Sequence, residues 1–136
     1  MSKVEQTLSL IKPDAVERNL EEEIKQFFIK SGFKITKQKK VKLEKKDAEI
    51  FYKVHETKPF YNDLCNYLSS GPIVAMILEK VDAVSENRKV MGATDPTKAD
   101  EGTIRKKYGI SIDKNSVHGS DSLENAKIEI EFFFAS

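Results

Sequence analysis

"GPIVAMILEK", residues 71–80, is an almost unbroken apolar run of strand length, closed by Gly71-Pro72 at one end and by charge at the other. No polar residue interrupts 73–78, so the extended chain asks for burial on both faces, as at the centre of a layered sheet. Working outward, "QTLSLIKP" (6–13) alternates Leu8 and Leu10 with Thr7 and Ser9, and Pro13 keeps Lys12 extended at the strand's C-terminal end. "FKITKQKKVKL" (33–43) alternates too, but lysines replace apolar residues in its middle, which suits an edge strand.

Between these strands the period changes. Leu20, Ile24, Phe27 and Phe28 fall at helical spacing, with Gly32 placed to end that helix. "DAEIFYKVH" (47–55) sets Ala48, Phe51, Tyr52 and His55 on one side, and a second helical piece opens at Pro59 and carries Phe60, Leu64, Tyr67 and Leu68. Asp82 is placed to cap "AVSENRKVM" (83–91), with Arg88 near the end of that helix and Gly92 stopping it. Residues 92–114 then lack strong periodicity, and so long a loop in a small domain points to function. In the tail, "KIEIEFFF" (127–134) alternates like a strand, yet Asp121-Ser-Leu-Glu124 is a capping-box pattern, and Leu123, Ala126, Ile130 and Phe133 or Phe134 suit a helix's inner face. A helix is the expectation. Strands alternating with helices predict a layered α/β sandwich in one domain, 1–136, and leave open whether its sheet is parallel or antiparallel.

Composition narrows the function. There are 23 Lys plus Arg against 22 Asp plus Glu, a balance that gives no reason to expect nucleic acid or an acidic membrane surface as partner. The lysine-rich stretch 37–46 reads as a solvated edge. One cysteine, Cys65, excludes an intrachain disulfide and a cysteine-built zinc site, and fits a reducing, cytoplasmic setting. No apolar run approaches the roughly 20 residues of a spanning helix.

No Gly-rich phosphate loop, nucleophile elbow or H-E-x-x-H is present. What remains is a scatter of phosphate-binding groups: Lys12 at a strand end, Arg88 at a helix end, Thr94 and Arg105. Arg88 and Arg105 bracket the long loop, so folding it would set two guanidinium forks and a hydroxyl around one polyphosphate. In "NSVHGSDS" (115–122), His118 is then a candidate nucleophile, since one ring nitrogen of neutral imidazole has a lone pair and the other needs a partner to orient it. Gly119 removes bulk beside it, Ser120 offers a hydroxyl, and Glu129 lies on a helical face able to return to the ring. Read alone, His118 is more simply a loop hydrogen-bonder, His55 a packing residue, and Phe60 either core or a platform for a base.

Taken together, "TLSLIKPDAV", "SGPIVAMILE", "NRKVMGATDP", "EGTIR" and above all "NSVHGSDS" resemble the nucleoside diphosphate kinase family, in the right order over essentially the whole chain. The resemblance implies a ferredoxin-like βαββαβ α+β sandwich, with a four-stranded antiparallel sheet and added helices. It implies ping-pong transfer of the γ-phosphate of ATP or another nucleoside triphosphate to a nucleoside diphosphate, through phosphohistidine at His118. Lys12 and Asn115 would bind the ribose, with Lys12 also near the transferred phosphate; Arg88, Thr94 and Arg105 would hold phosphates. Phe60 would stack on the base, with Leu64 and Ile112 lining its slot. Tyr52 would lie beside the phosphoryl group, Ser120 and Glu129 would support the histidine, and Mg2+ would be held through the nucleotide with no direct protein ligand. It implies a homo-oligomer, tetramer or hexamer. Lys58, Lys80 and Glu101 depart from the family's usual Arg, Gly and Pro, and "NLEEEI" lacks a usual glycine. A non-catalytic nucleotide-binding module on the same fold is the alternative; such a module should have lost one of Lys12, Arg88, Thr94, Arg105, Asn115 and His118, and all six are present.

Overall fold

The computed structural model of the chain describes residues 4–111 and 114–134. Four strands, β1 (Val4–Ile11), β2 (Lys34–Val41), β3 (Ile73–Val81) and β4 (Val117–Gly119), form one sheet in the order β2-β3-β1-β4. Every neighbouring pair is antiparallel. The apolar run 73–78 is β3, paired through Ala75 to Leu10 on one side and to Lys39 on the other. Its central position follows from having no polar face to offer water. The lysine-bearing β2 takes the edge, with Lys37, Lys39 and Lys40 exposed.

Among the described residues, seven α-helices pack around this sheet: α1 (Pro13–Glu17), α2 (Glu21–Lys30), α3 (Lys45–Phe51), α4 (Tyr61–Leu68), α5 (Ala83–Met91), α6 (Ile104–Tyr108) and α7 (Leu123–Phe134). With α2 and α5 as the two crossovers, the topology is the ferredoxin-like βαββαβ. On that face Ile24 and Phe28 of α2, and Ala83 and Met91 of α5, meet Val74, Met76 and Val117 of the sheet. The opposite face is covered as well, by Ala48, Cys65, Leu68 and Phe133 from α3, α4 and α7 against Leu8, Leu10 and Ala75. With both faces of the sheet covered, Thr7 and Ser9 are fully buried as well as Leu8 and Leu10.

Local chemistry explains the ends of the elements. In α2, Glu21, Glu22 and Glu23 occupy the first turn and Lys30 the last, complementing the helix dipole. Gly32, at φ 91°, lets its own N–H reach Ile29 and that of Phe33 reach Phe28. This is a complete Schellman stop, sealed by the Phe28–Phe33 ring contact at 5.9 Å. Asn19, in the stretch without the family's glycine, takes φ 59°, a conformation asparagine tolerates better than most side chains. Lys80 is absorbed in the same way: its ammonium lies 3.1 Å from Glu86 and over the Phe33 ring.

Two caps differ from expectation. Asp82 precedes α5 but adopts φ 55° and its side chain caps nothing; Glu5, across the sheet, accepts the Val84 N–H at 3.3 Å instead. At α7 the cap is Ser122, one residue beyond Asp121, its Oγ accepting from Asn125 N at 3.1 Å. Leu123, read as an inner-face residue, is 45% exposed. The long loop is not featureless either, since α6 and a 3-10 turn at Pro96–Lys98 lie within it.

A polar knot joins α1 to α4. The Tyr67 hydroxyl accepts from Asp14 N at 2.8 Å and donates to the Asp14 carboxylate, which also pairs with Arg18 at 3.3 Å. Burial first, then the carboxylate, raises the Tyr67 phenol well above its ordinary value of 10. The folded chain therefore binds that proton more tightly than the unfolded one, so this contribution is full below about pH 10 and declines as pH rises above it. Tyr67→Phe should flatten that alkaline decline. The check is the melting temperature of both proteins on either side of pH 10; equal slopes would contradict it.

Candidate active site

The cleft lies where the sheet's β1–β4 end meets the α3–α4 layer, and it encloses about 430 Å3. Its wall contains Lys12, Tyr52, Phe60, Leu64, Arg88, Thr94, Arg105, Asn115 and His118, which the sequence scatters over more than a hundred positions. His55, Met91, Gly119 and Asp121 complete the wall. Ser120 and Glu129 stand behind His118, and Ile112 lies outside the described residues.

His118 occupies β4, paired with Leu10 of β1. Just before it, Val117 N donates to Asn115 O at 2.9 Å, a γ-turn about Ser116 at φ 76°. The turn is strained for a non-glycine residue, and its surroundings hold it: Ser116 is fully buried and its carbonyl accepts from Lys12 N at 2.8 Å. Behind the ring, His118 Nε2 is 3.1 Å from Glu129 Oε1, and Ser120 Oγ donates to the same oxygen at 2.8 Å. Leu8 N donates to Ser120 Oγ at 3.3 Å, so a sheet amide anchors the chain of bonds. His118 is thus held by a helix carboxylate, not by a loop. With Nε2–H donated to Glu129, a neutral imidazole carries its lone pair on Nδ1.

The cations are held differently from one another. Lys12 is buried, with Nζ donating to Asn115 Oδ1 at 3.0 Å, and Asn115 Nδ2 reaches Thr94 O at 3.1 Å, so β1, the γ-turn and the long loop share one brace. Arg88 is exposed. Arg105 is buried and donates Nη1 to Gly92 O at 3.0 Å and Nη2 to Val117 O at 2.9 Å, while its buried Nε has no partner among the described residues. Burial, then the charge of Arg88, lowers the Arg105 pKa to about 10, which leaves it charged at neutral pH. Desolvation, then Glu129, raises the Tyr52 phenol far above its usual value and keeps it protonated.

Phe60, open between core and platform in the sequence, is 47% exposed on the cleft wall. His55 stands between two rings, 6.1 Å from Tyr52 and 6.1 Å from Phe60. The space beside Gly119 serves α5: a β-carbon there would come within 2.4 Å of Asn87 Nδ2 and 2.7 Å of Met91 Cε. Gly119→Ala should cost about 1–3 kcal/mol of stability as α5 is pushed off β4. Urea unfolding measures this, and an unchanged midpoint would refute the close fit.

A cation-lined cleft of nucleotide size on a ferredoxin-like sandwich, with an anchored histidine in its wall, defines a class of site suited to phosphorylated ligands. Comparison with known proteins names the family. The model of the family described as nucleoside diphosphate kinase matches residues 5–136. The nucleoside diphosphate kinase of Wolinella succinogenes is 56% identical over 132 residues, covering 97% of this chain and 96% of that one. That of Persephonella marina is 55% identical over 132 residues, at 97% and 94% coverage. The orthorhombic crystal form of the Aquifex aeolicus nucleoside diphosphate kinase superposes with a TM-score of 0.95 at 40% identity, covering 97% of this chain and 96% of the other. The chain belongs to the nucleoside diphosphate kinase family.

Proposed function

We propose that the chain transfers the γ-phosphate of a nucleoside triphosphate to a nucleoside diphosphate in two half-reactions through phosphohistidine at His118. The observation that carries this reading is the chain of bonds from Leu8 N through Ser120 and Glu129 to His118 Nε2, at the wall of a cleft rich in cations. In the first half-reaction, the Nδ1 lone pair forms the N–P bond as the bond from phosphorus to the β,γ-bridging oxygen breaks. The nucleoside diphosphate leaves with that electron pair. The positive charge developing on the ring is met by Glu129, which retains the Nε2 proton in its hydrogen bond, and the second half-reaction reverses these steps with another diphosphate.

Positioning and charge neutralisation supply most of the rate. Arg88, Arg105 and Thr94 hold phosphates, Lys12 faces the transferred group and the ribose, Asn115 the ribose, and Tyr52 the phosphoryl group. Phe60 is the stacking platform and Leu64 lines its slot; every base has a π-face, so discrimination among bases is weak.

The donor set fits magnesium arriving on the nucleotide. Among the described residues no three His, Cys, Asp or Glu side chains converge on one point, and Asp121 is the one carboxylate among the residues of the cleft wall. Bound there, Mg2+ would neutralise phosphate oxygens. We further propose a cytoplasmic homo-oligomer, a tetramer or hexamer to be distinguished by molar mass in solution. Exposed Val4, Ile29, Ile110 and Ile128 supply apolar surface for it, and the single, buried, unpaired Cys65 suits a reducing compartment. No described helix is long and apolar enough to cross a membrane.

Incubating the purified chain with γ-labelled ATP and magnesium should place an acid-labile, base-stable label on His118, and GDP should remove it as GTP. A wild-type chain that takes up no label would overturn the proposal.

A further inference from the structure

The hydrogen bond to Glu129 fixes one atom of the His118 ring. Rotation about the bond between Cβ and the ring is soft, because such torsions have broad minima. Nδ1, the reacting atom, lies farther from that axis than Nε2, so the rotation displaces it more than the atom that is held. Something else has to set the plane of the ring.

Phe51, the last residue of α3, is placed to do so. Its ring lies 5.3 Å from the imidazole at an interplanar angle of 71°, an edge-to-face contact. The same ring touches Phe132 at 5.5 Å and Phe133 at 5.4 Å. Both phenylalanines lie on α7 at three and four residues beyond Glu129, and so on the same side of that helix as the carboxylate. One helix thereby carries both the group that holds Nε2 and the rings that brace Phe51. Phe51 is not among the residues of the nucleotide-sized cleft, but it does line a smaller space of about 120 Å3 that shares Tyr52, His55, His118, Gly119 and Asp121 with the cleft and extends to Glu129.

We propose that Phe51 is a positioning residue, its ring setting the plane of the His118 imidazole so that Nδ1 points along the line of attack. This rests on the reading of His118 as the phosphoryl acceptor. Sub-ångström misplacement of a reacting atom is costly, and on the order of tenfold is the expected loss when the flat brace is replaced by a flexible side chain. Because Phe51 does not line the cleft, the loss should fall on the chemical step and leave nucleotide affinity alone.

The test compares Phe51→Leu with Val41→Ala, which thins the same apolar layer from the edge strand, away from the imidazole. Single-turnover labelling by γ-labelled ATP reads the chemical step, and calorimetry with ADP reads affinity. The expected result is about tenfold slower labelling in Phe51→Leu only, with ADP affinity at the wild-type value. Wild-type labelling in Phe51→Leu, an equal loss in both variants, or a loss matched by weaker ADP binding would overturn the proposal. Should Phe51→Leu not fold, Phe51→Met makes the same comparison. Wild-type protein that takes no label would instead sink the reading of His118 itself.

Discussion

Replacing His118 by glutamine should lower nucleoside phosphate transfer by roughly a factor of 10^6, the scale on which loss of a covalent nucleophile is felt. The substitution is chosen for what it spares. A glutamine amide can still donate to Glu129, so the bonds from Ser120 and Leu8 keep their acceptor, and α7 stays where it is. The side chain at 118 is only partly buried, and the change should alter stability by less than about 1 kcal/mol. Loss of labelling at an unchanged melting temperature is therefore the expected pair of observations. Retained activity in His118→Gln would show that the phosphoryl group takes another route, and both the proposed intermediate and the positioning of His118 by Phe51 would lose their basis.

Arg105→Lys should be nearly as damaging although the charge is conserved. The guanidinium donates to two carbonyls at once, those of Gly92 and Val117, which ties the start of the long loop to the residue before His118. An ammonium is a point donor and does not reproduce that planar fork. At least one buried carbonyl loses its partner, which costs about 1–3 kcal/mol of stability. The phosphate site, set by the same two attachments, loosens along with it, and kcat/KM should fall by about a hundredfold. Urea unfolding and steady-state kinetics on one preparation measure the two effects. If the lysine variant keeps both its stability and its kcat/KM, the clamp is not structural and Arg105 acts through its charge alone.

Much of this was legible before folding, because some residue types leave little choice. An unbroken apolar run such as 73–78 has no polar face, so its central place in the sheet follows from the hydrophobic effect alone, and a lysine-bearing strand such as 34–41 is driven to the edge. Gly32 announced the end of α2. The caps were less legible: Asp82 lost its role to Glu5, a residue nearly eighty positions away, and Ser122 displaced Asp121 by a single residue. A capping motif says only that a side chain is available. Which acceptor arrives is settled by the register of neighbouring elements.

The site divides along the same line. The residues themselves, from Lys12 to Glu129, stood in the sequence, and the order of their motifs named the family. Sequence alone did not reveal which ring nitrogen of His118 is engaged, that Arg105 spends two donors on backbone carbonyls, that Gly119 makes room for Asn87 and Met91, or that Phe51 leans on the imidazole. Phe51 read as one more apolar position on a helical stripe, and nothing in that spacing distinguishes a ring that packs on another ring from a ring that packs on the catalytic candidate. The amino acids determined the chemistry available and the burial each segment requires, because side-chain type and periodicity are local properties. Tertiary structure decided who meets whom, because hydrogen bonds and ring contacts act over a few ångströms between groups that the chain keeps a hundred residues apart.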